Sequence, residues 1–272
     1  MHRWIAEQVE VTGEIEQPHV RPWATALRVP TGRGDVWFKA SRGAFAYEAR
    51  VLAILAPLDP GLLPEVLAAR PDEGWLLLAG AGRRAREHPV DWAPLLRRYA
   101  SLQIAAAPYV DDLLAAGAVD RRAAALEAPL ERVLQAVLPA TRAALERRLP
   151  AALERLGRLD ASRLPPTIDH ADLHDANVFS GAGGVRILDW GDSTVAHPLC
   201  SLAFDFDERA VAAYLEPWAA LAAADELEEW AAIVREHRFL LRALNDQRAL
   251  RYEPSVAGLI DQRVRLYLEG AA

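Results

Sequence analysis

Residues 166–179 read PTIDHADLHDANVF, and the prediction of the fold starts from this segment. An apolar start is followed by His170, Asp172 and Asn177 at the spacing H-x-D-x4-N. A carboxylate within hydrogen-bond reach of a hydroxyl can accept its proton. A neutral amide oxygen can bind a hard cation without adding charge. The segment therefore combines a candidate general base with a candidate metal ligand.

A second motif follows closely, in residues 185–192, which read VRILDWGD. Its apolar residues predict a strand that ends at Asp189. The sequence SGAGG at 180–184 lies between the two motifs and is typical of a hairpin turn. Such a hairpin would fold Asp189 back beside Asn177, where both oxygens could bind one metal ion.

The two motifs together have the spacing of the catalytic and metal-binding loops of kinases. On this interpretation Asp172 is the catalytic base, and Asn177 and Asp189 bind Mg²⁺ under ATP or GTP. The alternative interpretation is that this segment is a polar surface loop in which His, Asp and Asn occur by chance. A metal-dependent hydrolase that uses His170, Asp172 and His174 is an alternative, although we expect His170 to be a packed core histidine and His174 a polar loop residue.

Lys39 is the only lysine, beside 30 arginines. It ends a predicted strand over 35–40, and Glu48 follows nine residues later on a helix predicted over 43–56. Kinases pair a strand lysine with a helix glutamate so that the lysine holds the α- and β-phosphates. We therefore predict that Lys39 and Glu48 form the nucleotide-binding pair, although Glu48 taken alone would be better explained as a residue on an exposed helix face.

The pattern of apolar residues predicts a small β-rich lobe over 1–80 and a larger, mostly helical lobe over 81–272. Further strands are predicted over 23–30, 65–69 and 74–79, and helices over 90–107, 119–159 and 201–271, with breaks at Pro129, Pro139 and Pro150. The first eighty residues should hold one helix. The fold class expected is α+β with two lobes.

Composition restricts the class of protein. Of 272 residues, 52% are hydrophobic and 25% charged, which is typical of a globular chain. The net charge of −7 disfavours nucleic acid as a partner. With one cysteine, no signal peptide and no long apolar run, we expect a cytoplasmic protein without membrane contact.

These motifs resemble those of the aminoglycoside phosphotransferase and choline-kinase-like family, the phosphotransferase enzyme family. Its signature is similar to H-G-D-L-H-x-x-N followed by an apolar run and D-W-x-D, which here are HADLHDAN and ILDWGD. The resemblance covers about 23–203 and implies a protein-kinase-like fold. It also implies a phosphotransferase that binds ATP and Mg²⁺, with Asp172 catalytic.

The chain departs from that family at several positions. Ala171 replaces the usual glycine, and no G-x-G-x-x-G precedes Lys39; the expected phosphate-covering loop, near 13–22, holds one glycine. His197 and Ser201 stand where the family commonly has acids, the second of which usually braces the catalytic loop.

The acceptor is left open by the sequence. Residues 189–246 hold twelve acids and four arginines, so a small cationic acceptor such as an aminoglycoside or amino alcohol is one expectation. Asp205 and Asp207 are candidates to bind it. Asp192 could bind substrate or a second Mg²⁺, or be a turn residue. The alternative function is a nucleotide-binding regulatory module without phosphotransfer, a pseudokinase.

Overall fold

A computed structural model describes residues 1–270. Contacts divide the chain into two compact units, which are described separately. The first comprises Met1–Val90, Ala115–Gly117 and Leu173–Asp192, and the second comprises Asp91–Leu114, Ala118–Asp172 and the chain from Ser193 onward. These units differ from the predicted bounds of 1–80 and 81–272, because residues after 80 pair with the hairpin that carries Asp189.

The strands are β1 (Glu16–Arg21), β2 (Ala24–Thr31), β3 (Gly34–Ser41), β4 (Val66–Arg70), β5 (Trp75–Ala79), β6 (Arg83–Arg84), β7 (Val119–Asp120), β8 (Thr167–Asp169), β9 (Val178–Gly181), β10 (Gly184–Ile187) and β11 (Thr194–Ala196). The helices are α1 (His2–Gln8), α2 (Glu48–Leu55), α3 (Trp92–Ala106), α4 (Val110–Ala116), α5 (Glu127–Ala136), α6 (Pro139–Asp160), α7 (Glu208–Leu215), α8 (Ala224–Asp246) and α9 (Val256–Gly270).

An antiparallel sheet in the order β1-β2-β3-β5-β4 forms most of the first unit. Helix α1 covers one face, where Trp4 lies edge-on to Phe38 with ring centres 5.8 Å apart. Side chains alternate between the faces of a strand, so Lys39 projects from the face opposite Phe38. One face of β3 thus packs against α1, and Lys39 lies on the other face.

The hairpin of β9 and β10 joins the first unit through β6. Strand β9 pairs with both neighbours, and Gly181 lies opposite Gly184 across the turn. The predicted hairpin over 178–188 is therefore present. Residues 83–84 pair with 179–180, which explains why the first unit extends past residue 80.

Helices form most of the second unit, around a small sheet in the order β7-β11-β8. Helix α3 packs against α7, and α8 packs against α9. Strand β8 is fully buried, and the chain leaves it directly into Asp172. Among the helices within residues 1–270, none is long and apolar enough to cross a membrane.

Several sequence predictions need correction. Residues 2–8 form a helix that was not predicted, held by the buried side chains of Trp4 and Ile5. Pro150 lies inside α6 and does not break it; the position is exposed, so water can satisfy the carbonyl group that loses its partner. Pro139 begins α6, a position that proline favours. Most of the segment expected to be a loop near 13–22 is strand β1, and only a tight turn at 22–23 joins it to β2.

Candidate active site

A buried charge cluster joins β3, α2 and the end of the hairpin. The Nζ of Lys39 lies 2.5 Å from Glu48 Oε2 and 2.5 Å from Asp189 Oδ1. Glu48 begins α2 and is 2% exposed. Its other oxygen accepts a hydrogen bond of 3.0 Å from the backbone N–H of Trp190. Glu48 therefore holds both the lysine and the turn that follows Asp189.

Electrostatics favour the charged form of Lys39. Burial alone would lower its pKa, but the carboxylates of Asp189 and Glu48 outweigh that effect and hold the pKa well above its usual range. Burial raises the pKa of Glu48, and the Lys39 ammonium opposes that rise. The ammonium is thus a fixed positive charge on the open face of the sheet.

The hairpin brings Asn177 and Asp189 close together. The backbone N–H of Leu188 donates a 2.8 Å hydrogen bond to the Asn177 carbonyl. Asp189 directly follows Leu188, so it is adjacent in sequence to the residue that pairs with Asn177. Asp189 has φ of 65°, a left-handed conformation that aspartate tolerates better than most residues. Its side chain is 48% exposed. The carboxylate is therefore placed to bind a ligand as well as Lys39.

The oxygen donors of Asn177 and Asp189 fit Mg²⁺. This ion prefers oxygen ligands, keeps several waters and takes one or two protein groups together with substrate phosphates. Within residues 1–270, no three His, Cys, Asp or Glu side chains gather as a metal site. A two-residue oxygen site completed by phosphates is compatible with that finding.

The second unit presents Asp172 at the end of β8. His170 is fully buried, and its backbone N–H donates a 2.8 Å hydrogen bond to the Tyr99 hydroxyl. Its ring Nδ1 accepts from the backbone N–H of Asp172 at 3.3 Å. His170 is therefore a packed core residue, as predicted. Between them, Ala171 has φ of 61°, where an L-residue costs about 1–2 kcal/mol, so replacing the usual glycine is more than a minor change.

A buried polar network supports this loop. Ser201 Oγ donates a 2.7 Å hydrogen bond to Asp169 Oδ1 and lies 3.2 Å from both the Tyr99 hydroxyl and Gln103 Nε2. Gln103 Nε2 also donates to the Ile168 carbonyl at 2.8 Å. Ser201 stands where the family has a bracing acid. In this chain the carboxylate is that of Asp169, the last residue of β8, and Ser201 donates a hydrogen bond to it.

Asp169 is the site residue that sequence reasoning missed. Burial raises the pKa of its carboxyl from 3.8 to about 6, although hydrogen bonds from Ser201 and the Ala171 backbone oppose the rise. The residue directly precedes His170 but has no motif of its own. Asp169 differs from an ordinary acid in a turn only because it is buried, and residues far along the chain bury it.

Asp169→Asn should change how stability depends on pH. In the wild type, the folded state binds the proton more tightly than the unfolded chain. The resulting stabilisation is present below pH 3.8 and is lost as the pH rises through about 6. That shift corresponds to about 3 kcal/mol. The free energy of unfolding of Asp169→Asn, relative to wild type, should therefore rise between pH 4 and pH 7 in urea titrations.

The matched control for this experiment is Glu228→Gln, which removes an exposed acid from α8. Its stability relative to wild type should stay constant over the same pH range. A flat difference for Asp169→Asn as well would contradict the account of a buried, proton-binding carboxyl.

The remaining predicted residues have structural partners. Asp205 pairs with Arg238 at 3.0 Å on the surface. Asp207 caps α7 by accepting from the Ala210 N–H at 2.7 Å. The ring Nδ1 of His174 accepts from the Ala176 N–H at 3.1 Å. Asp192 ends the short 3₁₀ turn after Asp189.

His19 is a further residue that the sequence did not single out. The strand registers place His19 opposite Ala26, and Ala26 opposite Lys39. Side chains in one such row share a face of the sheet, so His19 lies on the same face as Lys39. Burial, Arg21, Arg84 and Lys39 lower the pKa of His19, whereas Asp189 raises it. Arg21, Arg84 and Lys39 are thus close enough to His19 to act on its charge.

Comparison with known proteins gives the family. A sequence model of the phosphotransferase enzyme family matches residues 27–233. The chain belongs to this family. No curated protein sequence matches it significantly. The chain is thus a phosphotransferase of α+β, protein-kinase-like fold, which confirms the predicted family, fold class and enzyme class.

Solved structures share the fold of this phosphotransferase. Macrolide 2'-phosphotransferase MphH from Brachybacterium faecium is 18% identical, with 97% of this chain and 96% of that one covered and a TM-score of 0.64. A choline/ethanolamine kinase family protein from Mesorhizobium loti is 17% identical, with coverage of 98% and 94% and a TM-score of 0.66. Aminoglycoside 2'-phosphotransferase-IIIa, solved with GDP, is 15% identical, with coverage of 100% and 97% and a TM-score of 0.68.

Proposed function

We propose that this phosphotransferase moves the γ-phosphate of ATP or GTP to a hydroxyl group of a small molecule. The observation that carries the proposal is the cluster of Lys39, Glu48 and Asp189. An ammonium fixed by two carboxylates on an open sheet face is suited to hold nucleotide phosphates. Use of a cellular nucleotide agrees with the cytoplasmic location expected from the sequence.

In this proposal Lys39 binds the α- and β-phosphates, and Glu48 keeps its ammonium in place. Asn177 and Asp189 would hold Mg²⁺, which neutralises developing charge on the transferred group. Asp189 also pairs with Lys39, so the phosphate-binding ammonium and the metal-binding carboxylate would lie side by side.

Asp172 is proposed to accept the proton of the attacking hydroxyl. Its backbone is fixed by the buried His170 ring, and the preceding strand is fixed by Tyr99 and Gln103. A base held this way needs little reorganisation when the acceptor arrives, which favours rapid transfer. The network around Asp169 and Ser201 would act through the loop and make no contact with the substrate.

A screen of hydroxyl compounds tests the proposal. Purified protein with Mg²⁺ and either ATP or GTP should release nucleoside diphosphate at a rate that depends on one class of acceptor. Each acceptor is compared with the same reaction lacking it. Tight nucleotide binding without turnover on any acceptor would overturn the proposal and favour the regulatory module.

A further inference from the structure

A small cavity lies beside the loop that carries Asp172, wholly within the second unit. Its volume is about 40 Å³, room for roughly three water-sized groups. Its lining includes Ala171, Phe204, Arg242 and Asn245. Arg242 and Asn245 are three residues apart on α8, so they project from the same side of that helix. The side-chain nitrogen of Asn245 lies 3.5 Å from the Ala171 carbonyl, which brings this side of α8 to the residue before Asp172.

Arg242 is half-buried in this cavity without a carboxylate partner. Its guanidinium carbon lies 4.8 Å from the centre of the Phe204 ring, and no residue among 1–270 forms an ion pair with it. Burial and the nearby Arg263 lower its pKa, while Asp246, Asp172 and Asp205 raise it. A guanidinium removed from water normally has an anionic partner.

Two of the acids near Arg242 have other arginine partners. Asp246 pairs with Arg263, and Asp205 pairs with Arg238. Asp169 also lines the cavity, but it already accepts hydrogen bonds from Ser201 and the Ala171 backbone. Asp246, Asp205 and Asp169 thus have their main partners elsewhere, and the charge of Arg242 can act on a ligand in the cavity, next to Asp172.

We propose that Arg242, with Asn245 beside it, binds an oxyanion group of the acceptor, such as a carboxylate or phosphate, and so presents the acceptor's hydroxyl to Asp172. The inference rests on the proposed function for the role of Asp172. A planar guanidinium donates two parallel hydrogen bonds to such a group, and the Phe204 ring supports it from one side. The cavity holds the charged group alone, and the rest of the acceptor would extend outside it.

This proposal gives an acceptor with an anionic group, whereas the composition of the chain suggested a cationic acceptor. The acids counted in residues 189–246 include Asp205 and Asp207, which are engaged by Arg238 and by the start of α7. Both carboxylates therefore already have partners within the chain. Arg242 would repel an ammonium group at that position.

Two matched probes test this site by isothermal titration calorimetry. Glycerate and 3-amino-1,2-propanediol share a three-carbon skeleton and two hydroxyls but carry opposite charges. Wild type should bind glycerate at least about tenfold more tightly than the amine. Arg242→Gln should lose that preference, and Arg242→Lys, which keeps the charge, should retain part of it. The control Arg235→Gln, an exposed arginine on the same helix, should behave as wild type.

Equal binding of the two probes, preference for the amine, or preference for glycerate that survives in Arg242→Gln would each overturn the inference. If Arg242→Gln fails to fold, Arg242→Lys takes its place, and a preference for glycerate as strong as that of wild type in this variant would overturn the inference. Because binding is measured without nucleotide, failure here is distinct from failure of the proposed function, which would appear as absent nucleotide turnover with every acceptor.

Discussion

Asp172→Asn is expected to lower kcat by about 10²- to 10⁴-fold, the usual contribution of a general base. Asparagine keeps the shape of the side chain and cannot accept the hydroxyl proton. The backbone N–H of residue 172 would still donate to the His170 ring, so the loop should keep its conformation. The KM for ATP should change little, because the proposed nucleotide contacts are made by Lys39 and its partners. Steady-state kinetics with an acceptor that the enzyme phosphorylates gives both kcat and the KM for ATP.

The control for this variant is Asp112→Asn, which changes an exposed acid on α4. It should retain kcat within about twofold of wild type, as is usual for a surface change. A kcat for Asp172→Asn within the same range would exclude Asp172 as the base.

Asp189→Asn is expected to lower kcat by about 10²- to 10³-fold and to raise the Mg²⁺ concentration needed for half-maximal rate. Loss of a metal-binding carboxylate removes several kcal/mol of charge stabilisation in the transition state. Lys39 also loses one of its two carboxylate partners. Initial rates measured across a Mg²⁺ titration separate the effect on metal affinity from the effect on turnover.

Asp35→Asn is the matched control, because this exposed acid lies at the start of β3 and pairs with Arg28 on the surface. Its Mg²⁺ dependence should overlay that of wild type. Should Asp189→Asn do the same, the proposed metal site would have to lie elsewhere.

Much of the first unit was predictable because its signals are local. Strand β3, the turn at 31–34 and the hairpin of β9 and β10 each follow from residue types within a few positions of one another. The pairing of Lys39 with Glu48 needs only a strand followed by a short helix. The structure places these two side chains together, while their roles toward a nucleotide stay predictions.

Other features depend on contacts that no local pattern describes. Helix α1 forms because Trp4 and Ile5 pack on a sheet built from later residues. Proline signals were misleading at Pro150, where exposure makes the lost hydrogen bond tolerable.

The second unit shows the same limit at its candidate sites. Asp169 and Ser201 are partners 32 residues apart, so no local pattern around Asp169 predicts that it is buried. Arg242 was one of four arginines in an acidic region, and only the fold brings it beside the loop that carries Asp172. Residue counts describe the charge of a segment, whereas a binding site depends on which of those charges have partners.

Transfer of labelled phosphate shows whether this protein phosphorylates a hydroxyl group and whether Asp172 is required. With γ-³²P-labelled ATP and Mg²⁺, wild type is predicted to place the label on a hydroxyl compound of the screened library in one enzyme-dependent step, and Asp172→Asn is predicted to show almost none. Label that appears only as inorganic phosphate, or equal transfer by both proteins, would contradict the account.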